Sequence, residues 1–146
     1  GVNSAKSLLG WGEGSLGQLG TGNLLSSQAV PAVAGVRGNL KSASYKDIQA
    51  GDSFSMVLTE DGTVWTFGMN EARQLGNGVT EDFKGIPIPT FLRQVTAICA
   101  GEKFAAAIMQ GSLYQWGTVI PQLPSNLIPV FIGNSFVRGI MPITSL

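Results

Sequence analysis

Apolar and polar positions alternate over short, strand-length runs. Phe54-Ser55-Met56-Val57-Leu58-Thr59 and Val64-Trp65-Thr66-Phe67 are rich in β-branched and aromatic residues, which suit a pleated, half-buried surface. Between them stands Glu60-Asp61-Gly62-Thr63, and Asp-Gly between apolar runs is a strong hairpin signal because both residues tolerate positive φ. Asp47-Ile48-Gln49-Ala50 and Val95-Thr96-Ala97-Ile98-Cys99-Ala100 read as neighbouring strands. Three further runs open on proline: Pro31-Ala32-Val33, Pro89-Thr90-Phe91-Leu92 and Pro129-Val130-Phe131-Ile132. They are expected as edge strands, where the missing N–H costs no ladder bond.

The runs recur. Phe67-Gly68 returns as Trp11-Gly12 and as Trp116-Gly117, at offsets of 56 and 49 residues. Gly17-Gln18-Leu19-Gly20-Thr21-Gly22 returns 56 residues on as Arg73-Gln74-Leu75-Gly76-Asn77-Gly78. Ala50-Gly51 with Phe54 returns 50 residues on as Ala100-Gly101 with Phe104, and the turn Glu60-Asp61-Gly62 shortens to Gln110-Gly111. A period of roughly 40–56 residues built from about four short strands fits a propeller blade. The expected fold is therefore all-β: blades of four-stranded antiparallel sheet in an incomplete ring of about 2.5–3 blades. Residues 1–146 are read as one partial propeller domain with repeats at roughly 1–46, 47–94 and 95–146.

These residues resemble the regulator of chromosome condensation repeat family. The resemblance rests on Ala50-Gly51, Leu58-Thr59, Asp61-Gly62, Val64, Phe67-Gly68, Asn70 and Gln74-Leu75-Gly76-Asn77-Gly78, and runs from about residue 7 to 117 with a weaker tail. It implies a seven-bladed β-propeller, whose members serve as guanine-nucleotide exchange factors, ubiquitin-ligase modules or scaffolds. The family pattern has His where this chain has Phe54 and Phe104, and the chain contains no His. Asn70 is replaced by Gly14 in the first unit, Gly17 becomes Arg73 in the second, and the third lacks the Gln-Leu-Gly loop. Such changes read as drift within a scaffold.

At 12% charged residues the chain carries about half the usual share, so part of its surface is expected to be covered. Segment 118–146 sharpens this, with Arg138 its only charge among many Ile, Leu, Val and Phe. It is expected to bury against further blades or a protein partner, and its prolines rule against a membrane-spanning helix. Ser7 to Gly12 aligns with Thr63 to Gly68, so the chain is expected to start midway through a blade. Residues 37–46 read as a surface loop and Thr80 to Gly85 as an exposed charged stretch. Phe104 to Ile108 and the aromatics Trp11, Trp65, Phe67 and Trp116 read as blade core.

The search for chemistry yields little. Gly12-Glu13-Gly14-Ser15-Leu16-Gly17 matches a dinucleotide fingerprint literally. The next residues, Gln18 to Gly22, are poor helix formers, and Arg37 stands near the expected acid, so no cofactor is expected. With no His and one Cys, no metal site or nucleophile–base pair is expected either. Cys99 is expected as a buried free thiol, and Asp61 of the adjacent pair Glu60-Asp61 as a turn residue.

The chain is thus read as a non-catalytic interaction and assembly scaffold, inside the cell because it has one cysteine and no Asn-x-Ser/Thr site. Alternatives are an exchange factor with a small GTPase as partner, or a chromatin- or substrate-binding module of a larger ligase or kinase. Nine acidic against nine basic residues give no field toward nucleic acid or membrane. Candidate partner contacts are the loop residues Glu13, Glu71, Arg73 and Phe83, since rigid scaffolds present contacts on loops.

Overall fold

A computed structural model describes residues 7–24, 27–34, 40, 44–118 and 126–133, the last stretch for its backbone alone. Most of the apolar segment 118–146 and of the 37–46 loop lies outside the described residues. Ten strands run in order along the chain: β1 (Leu9–Gly12), β2 (Gln28–Val33), β3 (Tyr45–Ala50), β4 (Phe54–Thr59), β5 (Val64–Met69), β6 (Phe83–Pro89), β7 (Val95–Ala100), β8 (Phe104–Met109), β9 (Ser112–Gly117) and β10 (Asn126–Gly133). They form two four-stranded meanders, β3-β4-β5-β6 and β7-β8-β9-β10, and a two-stranded sheet, β1-β2. All described pairings are antiparallel. These are blades of propeller type, and the described residues do not close a ring.

The expected hairpin joins β4 to β5. Leu58 faces Val64 across the ladder, and Gly62 takes φ +82°. Asp61 Oδ1 accepts from Thr63 N at 3.0 Å and from Thr59 Oγ1 at 2.5 Å, which holds its carboxyl below the usual range, the Thr59 hydroxyl contributing most. Asp61 is a turn residue.

β4 is the seam of the molecule, because both its faces are covered. Met56 and Leu58 join Ile98, Ala105, Ala107 and Trp116 in the core between the two four-stranded sheets. Val57, one residue out of phase, joins Leu8, Ala34, Leu40 and Phe67 in the core between β1-β2 and the second unit. Alternation along a strand thus supplies two cores at once. The alanines of β8 let the sheets approach closely; Ala105 and Ala107 are wholly buried, while Phe104 is half-buried.

Four expectations are corrected. The fourth strand of the second unit is Phe83–Pro89 rather than Pro89 to Leu92. Its prolines lie on the outer edge, and Thr90 N turns back to Val64 O at 2.8 Å. In the same way β2 carries Pro31 in its interior rather than at its start. Trp11 is not core, since it is 54% exposed where its counterparts Phe67 and Trp116 are 3% and 0% exposed. Cys99 is half-buried; burial still pushes its thiol up, which disfavours the reactive thiolate.

Candidate protein-interaction face

One end of the stacked sheets gathers the loops. The turns β3–β4 and β7–β8 lie there, as do the loops after β1 and β5. The ladder shows it: Phe54 faces Gly68, and Met69 faces Phe83.

The loop from Asn70 to Asp82 is built around one buried amide. Asn70 Nδ2 donates to Val79 O at 3.0 Å and Glu81 O at 2.8 Å, while Oδ1 accepts from Leu75 N at 3.2 Å. A single side chain thereby satisfies three backbone groups that a loop would otherwise leave unpaired. Arg73 completes the arch. Its Nη1 donates to Thr80 O at 2.7 Å, and its backbone sits at φ +60°, where the first unit has Gly17. Glu71 stands exposed at the tip. Phe83 opens β6 and is 40% exposed.

The expected contacts therefore divide. Glu71 and Arg73 share one loop and Phe83 opens the strand that follows it, with Arg73 half-buried and engaged in holding that loop. Glu13 lies on the corresponding loop of the first unit, at the position that Met69 holds in the second; it is exposed and accepts from Ser15 N at 2.9 Å and from the Ser15 hydroxyl. The hydroxyl bond is the main reason its carboxyl lies below the ordinary range. Sequence reasoning passed over Asp52, Glu102 and Lys103, exposed at the same end. Their signal was available, since they come directly after the repeated Ala-Gly pairs. Together with Glu13, Glu71, Glu81 and Asp82 they give six carboxylates against Arg73, Lys84 and Lys103. One of these cations is paired already, Lys84 Nζ with Glu81 at 2.7 Å. Among the described residues no group of three or more His, Cys, Asp or Glu could hold a metal ion, and no helix is long and apolar enough to cross a membrane.

The loops also join the units. Gly76 takes φ +61°, and a Cβ there would lie 2.2 Å from Trp116 Nε1. Trp116 Nε1 donates to Gln74 O at 2.9 Å. Gly20 takes φ +67° and seats on Phe67, a Cβ there lying 2.7 Å from the ring. Phe67 has no donor, and Ser55 Oγ supplies the bond instead, to Gln18 O at 2.8 Å.

Family comparison agrees with this repeat geometry. Models of the regulator of chromosome condensation (RCC1) repeat match residues 7–58 and 61–108, and a second such model matches 45–74. The ultraviolet-B receptor UVR8 of Arabidopsis thaliana is 33% identical over 127 residues, covering 78% of this chain and 26% of the receptor. The secretion-regulating guanine nucleotide exchange factor of Bos taurus is 37% identical over 84 residues, 56% of this chain and 17% of that protein. A crystal structure of Kap60 bound to yeast RCC1 (Prp20) gives a TM-score of 0.80 at 18% identity, covering 94% of this chain and 35% of the other. The chain thus spans about a third or less of the length of these proteins. With the repeat matched across both of its loop-bearing units, the chain belongs to the regulator of chromosome condensation repeat family.

Proposed function

We propose that this chain is a non-catalytic protein-interaction and assembly scaffold, part of a larger propeller or complex inside the cell, that meets protein partners on the loop end of its blades. The observation that carries this reading is the loop after β5. Asn70 and Arg73 hold it from within, while Glu71 and Phe83 stand in solvent. A pre-ordered loop loses little entropy on binding, and an exposed aromatic beside charges is a common anchor. Glu13 extends the face onto the first unit. The six carboxylates argue against direct contact with nucleic acid, which requires a basic surface.

The test is affinity capture with the chain and with its Glu71→Ala and Phe83→Ala variants, quantified by mass spectrometry. Partners that fall away at least fivefold from the variants, with thermal stability unchanged, support the reading. Identical partner sets contradict it. A second reading is favoured by the bovine relative, whose name is that of an exchange factor: the chain belongs to a protein that accelerates nucleotide release from a small GTPase. Release of a fluorescent guanine nucleotide from a small-GTPase panel separates the two.

A further inference from the structure

The loop that packs the second unit on the third carries a reactive dipeptide. Asn77 is the only asparagine of the chain followed by glycine. The residue after an asparagine crowds its own backbone nitrogen with its side chain, and glycine removes that obstacle. Space at Gly78 is open: the residue is exposed, and a Cβ there would meet nothing within 4 Å. Its N–H finds no acceptor among the described residues.

The neighbouring contacts set the Asn77 carboxamide for attack by that nitrogen. Asn77 Oδ1 accepts from Val79 N at 3.2 Å, so the side chain folds forward over the Gly78 peptide in an Asx turn. The same N–H stands on the oxygen where negative charge gathers as the carbon is attacked, an oxyanion-type support. Asn77 Nδ2, the leaving nitrogen, meets Thr66 Oγ1 at 3.5 Å, beyond the ordinary range of a hydrogen bond. The first unit builds the same turn from a residue without this chemistry: Thr21 Oγ1 accepts from Asn23 N at 3.3 Å, ahead of Gly22.

We propose that Asn77–Gly78 is a site of spontaneous deamidation and backbone isomerisation, and that the conversion loosens the second unit from the third. The Gly78 nitrogen gives its proton to hydroxide and bonds Asn77 Cγ. The Cγ–Nδ2 bond breaks, Nδ2 takes a proton from water, and ammonia leaves a five-membered succinimide. Water then opens the ring at either carbonyl. Addition at Cγ gives aspartate; addition at the backbone carbonyl gives isoaspartate, with one extra carbon in the main chain.

The place of that extra carbon gives the reaction its consequence. One residue earlier, Gly76 sits at φ +61°, so close to Trp116 that a Cβ would lie 2.2 Å from Nε1. Two residues later, Val79 O takes the Asn70 amide at 3.0 Å. A main chain lengthened between these two holds cannot keep both. The product carboxylate also lacks the Nδ2 donor that faces Thr66 Oγ1, whose own proton goes to Leu75 O at 2.6 Å. None of this requires the loop to bind a partner.

The 146-residue chain is aged at mildly alkaline pH and mapped by peptide mass spectrometry, with fragmentation that separates aspartate from isoaspartate. Residue 77 should convert at least tenfold faster than Asn23 or Asn70, faster still as pH rises, and no slower than in a free peptide of residues 73–80. Hydroxylamine, which traps the succinimide, should cut the chain after residue 77. The isoaspartate form, separated by chromatography, should melt about 4 °C or more below the fresh chain. It should also melt below Asn77→Asp, because the added backbone atom rather than the charge breaks the seat on Trp116. Asn77→Thr should show no conversion and melt with the fresh chain, since Thr21 fills that turn in the first unit. Conversion slower in the folded chain than in the peptide, or no faster at Asn77 than at Asn23, would overturn the site. An isoaspartate form that melts with the fresh chain would overturn its effect on the junction.

Discussion

The two junctions between units solve one problem with different side chains. In each, a Gln-Leu-Gly loop packs on an aromatic of the next unit, and the glutamine carbonyl needs a donor. Where the aromatic is Trp116, its indole N–H donates to Gln74 O, and the β8 position opposite it is Ala105. Where the aromatic is Phe67, the β4 position opposite it is Ser55, whose hydroxyl donates to Gln18 O. Ring and small residue therefore compensate across the ladder. What the repeat preserves is a satisfied carbonyl under a close loop, since a buried acceptor left unpaired costs about 1–3 kcal/mol.

The largest way to break this symmetry is steric. Gly76→Ala would drive a Cβ into the wholly buried Trp116 ring from a left-handed backbone position. Urea unfolding should show a loss of about 3 kcal/mol. Gly20→Ala meets a ring edge at 2.7 Å and should cost less. Trp116→Phe comes next: it leaves a void and orphans Gln74 O, with an expected loss of about 2–3 kcal/mol. Ser55→Ala removes the matching bond with little change of volume and should cost about 1 kcal/mol. If Ser55→Ala proved as damaging as Trp116→Phe, packing would not explain the difference between the junctions.

The smallest effect concerns the hairpin. Asp61 has its carboxyl lowered in the folded chain. Its stabilisation is therefore fully present above the unfolded carboxylate value and is lost as pH falls through the folded one. Asp61 is exposed, so the effect is slight. Asp61→Asn should flatten the acid limb of a melting-temperature profile and leave the neutral region almost unmoved.

Legibility divided along the line between local and distant causes. β4, β5, β7 and β8 could be read because alternation, the Asp-Gly turn and the repeat offset all agree on them. β6 was misplaced because Phe83-Lys84-Gly85-Ile86-Pro87-Ile88-Pro89 does not alternate cleanly and its prolines look like breakers, a reading only the outer-edge position overrides. The exposure of Trp11 could not be read at all. Its local pattern matches that of Phe67, which has β4 beside it, whereas among the described residues β1 pairs with β2 alone. At the candidate face, Glu71 was legible as a loop residue, whereas Phe83 opens β6. The engagement of Arg73 with Thr80 O was not legible, because it depends on how the arch closes over Asn70.

The most direct test of the compensation is a mutant cycle that moves one junction's solution into the other. Ala105→Ser and Trp116→Phe are made singly and together, and unfolding free energies are measured in urea. The double variant should recover about 1 kcal/mol relative to Trp116→Phe alone, because the new hydroxyl donates to Gln74 O as Ser55 does to Gln18 O. A double variant no more stable than Trp116→Phe would contradict the account.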